Sequence, residues 1–578
     1  MKLALQHGSR SRTLAVLVLV IMAVFVVRLF YLQVIQHGYY TDLADNEQLK
    51  RLTIPAKRGL IYALDGNKPV ELVMNETVYT VFADPQTVTD GGKIIDVMRS
   101  VAGGNTRANI EGLLALKESR YQILATKVTR IQADKIKAEG LRGIGFQQES
   151  QRVYPEGSLA AQTLGFVDFS GTGQYGIEGK LNSRLTGTPG LLQSVTDVSD
   201  VPLTIGNRNI NEPAVNGENV VLSIDRNVQS YTEQALAAGL KRTGATHGSV
   251  MVMNPQSGKI MAMANLPTYD PAKFNLVQDG ADFNNDTISA PYEPGSVIKT
   301  LTVATGINQG VITPLSTFNN TDYIKIDDRV VSNATKGQTG NITIQHALDW
   351  SLNTGMVTIA QRLGDGTTIT KDAREIMYDY YYNKFGMGQL TGVELAGEQS
   401  GQIVSPDKLE GNAVRYSNMS FGQGMNLTMV QVCAAFGSVI NGGRYYTPTV
   451  LAGVVSPSGQ YQPATTIAPR TTITQSSSDQ VKEMIRSARA KFYAGVDKPG
   501  YIVGGKTGTS ETLENGQYVD NQTIGTYLGF GGADTPAYVI MVQVSGKNMP
   551  LQGGKDALPI FTDISNWMLD YLKLQPKG

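Results

Sequence analysis

Ser296-Val297-Ile298-Lys299 places a hydroxyl and an amine three residues apart, after the chain-stopping Glu293-Pro294-Gly295 and before the apolar run TLTVATGI. Residues three apart on a helix share a face, one turn from each other. If Ser296 opens a helix, the Lys299 amine reaches the serine oxygen and accepts its proton, provided burial lowers its pKa. The helix N-terminus adds positive potential for a developing oxyanion. Such a pair needs no histidine. The chain has four, at 7, 37, 247 and 346, and no GxSxG elbow has a partner among them, which argues against a Ser-His-Asp hydrolase. His346 precedes a helical pattern and reads as structural or capping. There is no Walker lysine loop and no dinucleotide fingerprint.

An SxxK match alone is weak, since about one or two arise by chance in a chain of this composition. Ser405-Pro406-Asp407-Lys408 is a second match, predicted to be a helix N-cap with proline at the first helical position. The first has company. Ser351-Leu352-Asn353 lies in a helical pattern, Ile344 to Leu363, expected to halt at Asn353-Thr354-Gly355. Lys506-Thr507-Gly508-Thr509 is the one KTG of the chain and follows the β-like run GYIVGG. Alone, SLN could be a helix end and KTGT an edge strand with a solvated lysine. In this order, with the lysine triplet beside a sheet and the other two in a helical block, the three point to one site.

The elements that must position these residues divide the chain. Residues 14–35 are apolar apart from Arg28 and a few polar groups, long enough to span the ~30 Å hydrocarbon core. Lys2, Arg10 and Arg12 precede the run, so the positive-inside rule leaves residues 1–13 in the cytoplasm. No small-x-small cleavage site follows, which disfavours a cleaved signal peptide. Residues 39–51 are polar and helix-compatible, a juxtamembrane spacer. From there to about Val215 short β-like runs alternate with turns and one charged helical stretch, Thr129 to Gly140. The polar, turn-rich segment Asn207 to Glu218 marks a boundary, giving a non-catalytic domain over 36–216 and a catalytic one over 217–578. In the latter, GSVMVMN with KIMAMAN, and GTYLGFG with YVIMVQVS, are predicted hairpins. Helical patterns at 227–242, 297–310, 344–363, 427–441 and 560–574 complete it. Strands at both ends around a helical block predict a mixed α/β (α+β) fold, an antiparallel sheet with helices on its faces.

Composition sets further limits. Fifty Lys+Arg balance fifty Asp+Glu among 578 residues, so nothing points to nucleic acid. The lone Cys433 excludes a disulfide framework and a CxxC metal site, and the histidines are too scattered for a zinc motif. No cofactor or metal is expected.

SxxK, SxN and KTG in this order resemble the penicillin-recognising serine transpeptidases and β-lactamases. The flanks YEPGS, SFGQGMNLT, GGKTGTS and GFGGADTPAY are similar to class B penicillin-binding proteins. So are KRGLI at 57–61, ESQRVYPEGSLAAQTLGFV at 149–167 and YGIEGKLNSRLTGTPG at 175–190, which resemble that family's elongated, mainly-β pedestal. The stretch YALDG at 62–66 departs from the family, which usually carries an acidic-arginine pair there. Glu178 fits the ExxLN pattern of class A β-lactamases but precedes Ser296, so it reads as pedestal structure.

The resemblance implies a peptidoglycan D,D-transpeptidase. Ser296 would attack the penultimate D-Ala carbonyl of a stem peptide, with Lys299 as base and Ser351 as proton relay. Asn353, Lys506, Thr507, Gly508 and Thr509 would bind substrate, and the N–H groups of Ser296 and Thr509 would form the oxyanion hole. β-Lactams would acylate Ser296. A β-lactamase or a β-lactam sensor would share the triad. The β-lactamase has no use for this anchor and pedestal, and a membrane β-lactam sensor would need more transmembrane segments and a cytoplasmic effector. No EDxxFxxH-type motif precedes Gly217, so glycan polymerisation would fall to a separate membrane polymerase of the FtsW/RodA type. The C-terminus resembles division-type (FtsI-like) enzymes more than elongation-type ones. The implied location is the cytoplasmic (inner) membrane, single-pass, with the bulk of the chain extracytoplasmic.

Overall fold

The computed structural model describes residues 9–41, 49–195, 210–514 and 517–576. They form two compact units, one of Met1–Lys57 with Thr186–Gly217, the other of Arg58–Leu185 with Glu218–Gly578.

In the first unit the apolar run is an α-helix, Ser9–Phe30, continued by a π-helical turn over Tyr31–Ile35. The 26 residues Arg10–Ile35 are long and apolar enough to cross a membrane. Their side chains are exposed all round, as lipid contact requires. Helix resumes to Thr41, but the predicted helical spacer is overturned from Leu49 onward. Leu49–Ile54 is a strand, paired antiparallel with Gly190–Val195, which pairs in turn with Ile210–Glu212. Distant backbone pairing overrides the local helix preference there. Residues 42–48 of that spacer, 207–209 of the boundary segment, and Lys2 lie outside the described residues.

The second unit contains both predicted hairpins. Strand His247–Met253 pairs with Ile260–Leu266, and Gln517–Gly532 with Pro536–Ser545. The 247–253 and 536–545 strands pair with each other, and Ile502–Glu514 closes the far edge of a five-stranded antiparallel sheet. Alternation along each strand feeds two cores. Val250, Val252, Ile540 and Val542 face the helices Arg226–Thr243 and Leu558–Tyr571 through Leu236, Leu240, Ile560 and Ile564. Met251, Met253, Val539 and Met541 join the core of the helical block, with Val297, Leu301, Val432 and Phe436. The sheet is therefore buried on both faces.

A second, seven-stranded sheet carries Asn219–Asp225 between Leu451–Val455, antiparallel, and Ile61–Asp65, parallel. The hairpin Ile61–Asp65/Lys68–Ala83 then leads to Gln122–Thr129 and Ile144–Val153. The charged stretch after Thr129 is the helix Arg130–Ala138, opened by a reciprocal Thr129–Gln132 capping box.

Glu178 takes the structural role read from sequence. It is 0% exposed and accepts from Arg58 Nε (2.8 Å) and Nη2 (2.5 Å) and from Arg152 Nε (2.6 Å). Arg152 also donates to Gly59 O and Asn75 Oδ1, tying the start of the unit to the 144–153 strand. Removing the shared carboxylate strands two guanidinium groups out of water, and breaking a buried ion pair costs about 3–5 kcal/mol. Glu178→Ala should lower the denaturant midpoint of the unit accordingly, measured by intrinsic fluorescence. A midpoint equal to the parent's would remove Glu178 from the stability of the fold.

Candidate active site

Ser296 stands in a 3-10 turn, Gly295–Ile298, and the α-helix proper runs from Lys299 to Asn308. The tighter turn differs from the α-helix start expected from sequence, but 3-10 geometry eclipses residues three apart, so Ser296 and Lys299 keep one face. Val297, Ile298 and Leu301 anchor the turn in the core, leaving Ser296 half-buried.

Glycines let three chain segments meet at this turn. Gly295 has φ +64°, and a Cβ there would lie 3.0 Å from Thr509 O. Gly422, at φ +94°, accepts from Gly295 N–H at 3.0 Å, and a Cβ would fall 1.9 Å from Gly295 O. A Cβ on Gly508 would sit 2.9 Å from Pro294 O. The nucleophile turn is thus clamped between the 502–514 strand and the loop after Met419. Sequence reading gives Gly295 as a chain stop and Gly508 as part of the KTG triplet, but not their close approaches, which involve residues far apart in the chain.

Lys299 is 0% exposed, and its Nζ donates to Ser351 O (2.6 Å), Asn353 Oδ1 (2.7 Å) and Ser351 Oγ (3.1 Å). The amine is turned toward the SxN segment rather than toward Ser296 Oγ. Burial drives its pKa well below the ordinary lysine range, and the charge of Lys506 pushes it further down. Lys506, 5% exposed, donates to Ser351 Oγ (2.9 Å), Thr507 O (3.0 Å) and Thr507 Oγ1 (3.3 Å). Burial brings its pKa down to about 7. Ser351 Oγ therefore bridges two amines.

The predicted helix through SxN is corrected. It breaks into Ile344–Asp349 and Asn353–Arg362, with Ser351 at φ +56°, so Asn353 begins a helix instead of ending one. A left-handed serine is held only where its surroundings insist. Here Leu352 N–H reaches back to Ala347 O at 2.8 Å, and its side chain is fully buried. Behind it, buried Asn333 accepts from Thr354 N at 3.0 Å, and buried Asn320 accepts from Thr354 Oγ1 at 2.8 Å. Asn353 Nδ2 donates to Ser332 O at 2.9 Å, which fixes its amide with the oxygen toward Lys299. Asn320, Asn333 and Ser332 gave no local signal, since they act from other segments.

Thr507 is half-buried and Thr509 exposed on the edge strand, whose Lys506 is buried and not solvated. Thr509 Oγ1 accepts from Gly553 N–H at 3.3 Å. The second SxxK match lies elsewhere and is not a helix start. Residues 405–408 form a surface turn in which Ser405 Oγ accepts from Asp407 N–H at 3.3 Å, and helix begins only at Ala413. Proline at 406 suits that turn equally well. His346 takes its N-terminal cap from Thr343 and its Nε2 pairs with Gln338 Oε1 at 2.8 Å. Among the described residues no three His, Cys, Asp or Glu converge as a metal site requires.

Two sheets with an inserted helical block, and a serine, two buried amines and an SxN turn hydrogen-bonded to the KTG strand, define a serine acyl-transferase of the penicillin-recognising fold. Residues 248–566 match the penicillin binding protein transpeptidase domain, and 53–222 the penicillin-binding protein dimerisation domain. The chain therefore belongs to the penicillin-binding proteins, of class B and FtsI-like type. It is 28% identical to stage V sporulation protein D of Bacillus subtilis, over 98% of this chain and 87% of that protein. It is 27% identical to peptidoglycan D,D-transpeptidase FtsI of Buchnera aphidicola, covering 98% and 96%. Its fold is similar to penicillin-binding protein 2X from Streptococcus thermophilus, with TM-score 0.74 and 22% identity over 91% and 80% of the two chains.

Gly422→Ala should cut the rate of covalent penicillin labelling by roughly a hundredfold, since displacing a reacting group by an ångström costs about that much. Stopped-flow labelling with a fluorescent penicillin measures it. Native-rate labelling would show that the turn tolerates the displacement.

Proposed function

We propose that this chain is a peptidoglycan D,D-transpeptidase in which Ser296 is the nucleophile, cross-linking stem peptides and serving as a β-lactam target. The observation that carries the reading is the paired burial of Lys299 and Lys506 around Ser351 Oγ. A neutral Lys299 spends its two N–H donors on Ser351 O and Asn353 Oδ1, leaving a lone pair. That lone pair takes the Ser296 proton as Oγ attacks the penultimate D-Ala carbonyl, after the small rotation that brings Nζ to Ser296. Ser351, receiving a hydrogen bond from Lys506, passes a proton to the departing D-Ala amine. Thr507 and Thr509, with Gly508 between them, hold the terminal carboxylate along the edge strand, and Asn353 faces the stem backbone. The N–H groups of Ser296 and Thr509 receive the oxyanion. An amine from a neighbouring stem then releases the acyl group.

Among the described residues one helix, Arg10–Ile35, is long and apolar enough to cross a membrane, which supports a bitopic protein with its N-terminus in the cytoplasm and the bulk outside the membrane. We retain the division into 1–13, 14–35, 36–216 and 217–578 as the proposed domain organisation. Having no proposed polymerase of its own, the protein would work with a membrane polymerase of the FtsW/RodA type.

Ser296→Ala should abolish penicillin labelling, whereas Ser405→Ala keeps it, as read by mass mapping of the labelled peptide. Lys299→Arg should be nearly as inactive as Lys299→Ala, because arginine cannot give up its proton near neutral pH. A Lys299→Arg protein that acylates at a substantial fraction of the native rate would reduce the lysine to an electrostatic anchor.

Lys506 carries a charge that depresses the Lys299 pKa. In Lys506→Met that charge is gone, the Lys299 pKa rises, and a higher pH is needed to make it neutral. The acid limb of the acylation rate should therefore move to higher pH. An unmoved limb, or one displaced downward, would separate Lys506 from the titration of Lys299.

A further inference from the structure

Glu293 lies three residues before Ser296 and has no part in the chemistry above. It is 6% exposed, yet its hydrogen-bond partners are neutral. Among the described residues, Oε1 accepts from Gly424 N–H at 2.7 Å and from Tyr518 OH at 3.5 Å, and Oε2 has only Tyr518 OH at 3.3 Å. Arg415, the cation whose field it feels, gives its hydrogen bond to Gly424 O at 3.0 Å instead. A carboxylate this far from water ordinarily holds a cation or several strong donors. Burial accordingly raises its pKa, and an arriving cation would bring it back down.

A second group, on the strand against which the nucleophile turn packs, is also unsatisfied among the described residues. Ser510 is 3% exposed and its Oγ has no hydrogen-bond partner. It follows Thr509, the residue against which Gly295 packs, and alternation puts it on the strand face that carries Lys506. Glu511 comes next and adds negative potential at both Glu293 and Tyr518. Tyr518, from the paired strand, is 49% exposed. A desolvated carboxylate without a cation and a buried hydroxyl without a partner thus flank the nucleophile turn.

We propose that Glu293 and Ser510 form the subsite for the cationic amine of the acceptor stem peptide, with Tyr518 as its displaceable cover. The proposal rests on the transpeptidase reading and adds to it the group that recognises the second substrate. An ammonium replacing Tyr518 OH on Oε2 exchanges a neutral hydrogen bond for a charge-assisted one, about twice as strong. In the transfer the ammonium first gives one proton to solvent. Its nitrogen then attacks the Ser296 ester carbonyl, the C–N bond forms and the C–O bond to Ser296 breaks. The second nitrogen proton passes through Lys299 to Ser296 Oγ, leaving an amide and the free serine.

The test uses the full chain in detergent, a benzoyl-D-alanyl thioester as donor, and the tripeptide L-Ala-γ-D-Glu-L-Lys or its meso-diaminopimelate counterpart as acceptor. The readouts are the ratio of aminolysis to hydrolysis and the acceptor concentration for half-maximal transfer. The ratio is set within the acyl-enzyme, so a slower acylation leaves it unmoved. Glu293→Gln should lower the ratio and raise half-saturation by roughly tenfold or more. Ser510→Ala should move both in the same direction by about two- to fivefold, and it carries the test should Glu293→Gln fold poorly. Tyr518→Phe, which removes the competing phenol, should leave half-saturation unchanged or lower it. Parent-like ratios in both Glu293→Gln and Ser510→Ala would overturn the proposal. A parent protein that forms no acyl-enzyme from the thioester would overturn the transpeptidase reading itself.

Discussion

The site turns on one constraint: an amine at 0% exposure cannot keep its proton at ordinary lysine pKa values. Lys299 is taken out of water by the core beneath Val297, Ile298 and Leu301 and then placed beside a second buried amine. Each neighbour fits a neutral amine. Ser351 O and Asn353 Oδ1 are acceptors only, and together they use both N–H donors of an –NH2 group. Ser351 Oγ lies 3.1 Å from Lys299 Nζ and accepts from Lys506 Nζ at 2.9 Å. Burial lowers both amines, Lys506 to about 7 and Lys299 well below its ordinary range, with the charge of Lys506 adding to the depression of Lys299.

Such an arrangement is useful only if it does not relax, and the backbone prevents relaxation. Ser351 is held left-handed between two short helices, and the Asn320–Asn333–Thr354 network pins the start of the second. The nucleophile turn has no room to move either, because Gly295, Gly422 and Gly508 bring backbone within reach of backbone on two sides. On Gly508's other side, a Cβ at Gly553 would lie 2.3 Å from Gly508 O, so the edge strand is packed from behind as well. Side chains large enough to fill a core would separate these segments. Their absence here is what lets hydroxyl, amines and edge strand meet.

Much of this was legible in sequence where the signal is local. SxxK, SxN and KTG are short spacings, and the hairpins at 247–266 and 517–545 announce themselves by short apolar runs around turn residues. The helices at 226–243 and 429–440 follow their apolar periodicity within two residues. What sequence did not yield is held by partners distant in the chain. The break at Ser351 lies inside a good helical pattern and is imposed by the buried asparagines. Residues 49–54 became strand through pairing with 190–195. Ser405 looked like a cap because Ser-Pro-Asp suits a cap and a turn alike. Glu293 reads in sequence only as part of the chain-stopping Glu293-Pro294-Gly295, since what distinguishes it, burial with no ion pair among the described residues, is visible only once the chain is folded.

Residues between the two family matches, 223–247, show how the catalytic sheet is joined to the strands that precede it in the chain. Asn219–Asp225 ends at a carboxylate, 5% exposed, that serves four elements. Asp225 caps the helix Arg226–Thr243 through the N–H groups of Asn227 and Val228. It also accepts from Gly66 N–H in the 61–83 hairpin at 3.1 Å and from Tyr571 OH of the closing helix at 2.9 and 3.0 Å. That helix and 226–243 cover the outer face of the five-stranded sheet through one shared core. A displacement of the 61–65 strand therefore bears on the cap of a helix packed directly behind the 247–253 strand. Parallel pairing of 219–225 with 61–65 makes the early strands part of the support of the catalytic sheet, rather than a separate body on a flexible link. Substitutions in the early strands should consequently be felt as changed positioning at the site, even though none of its reacting groups comes from them.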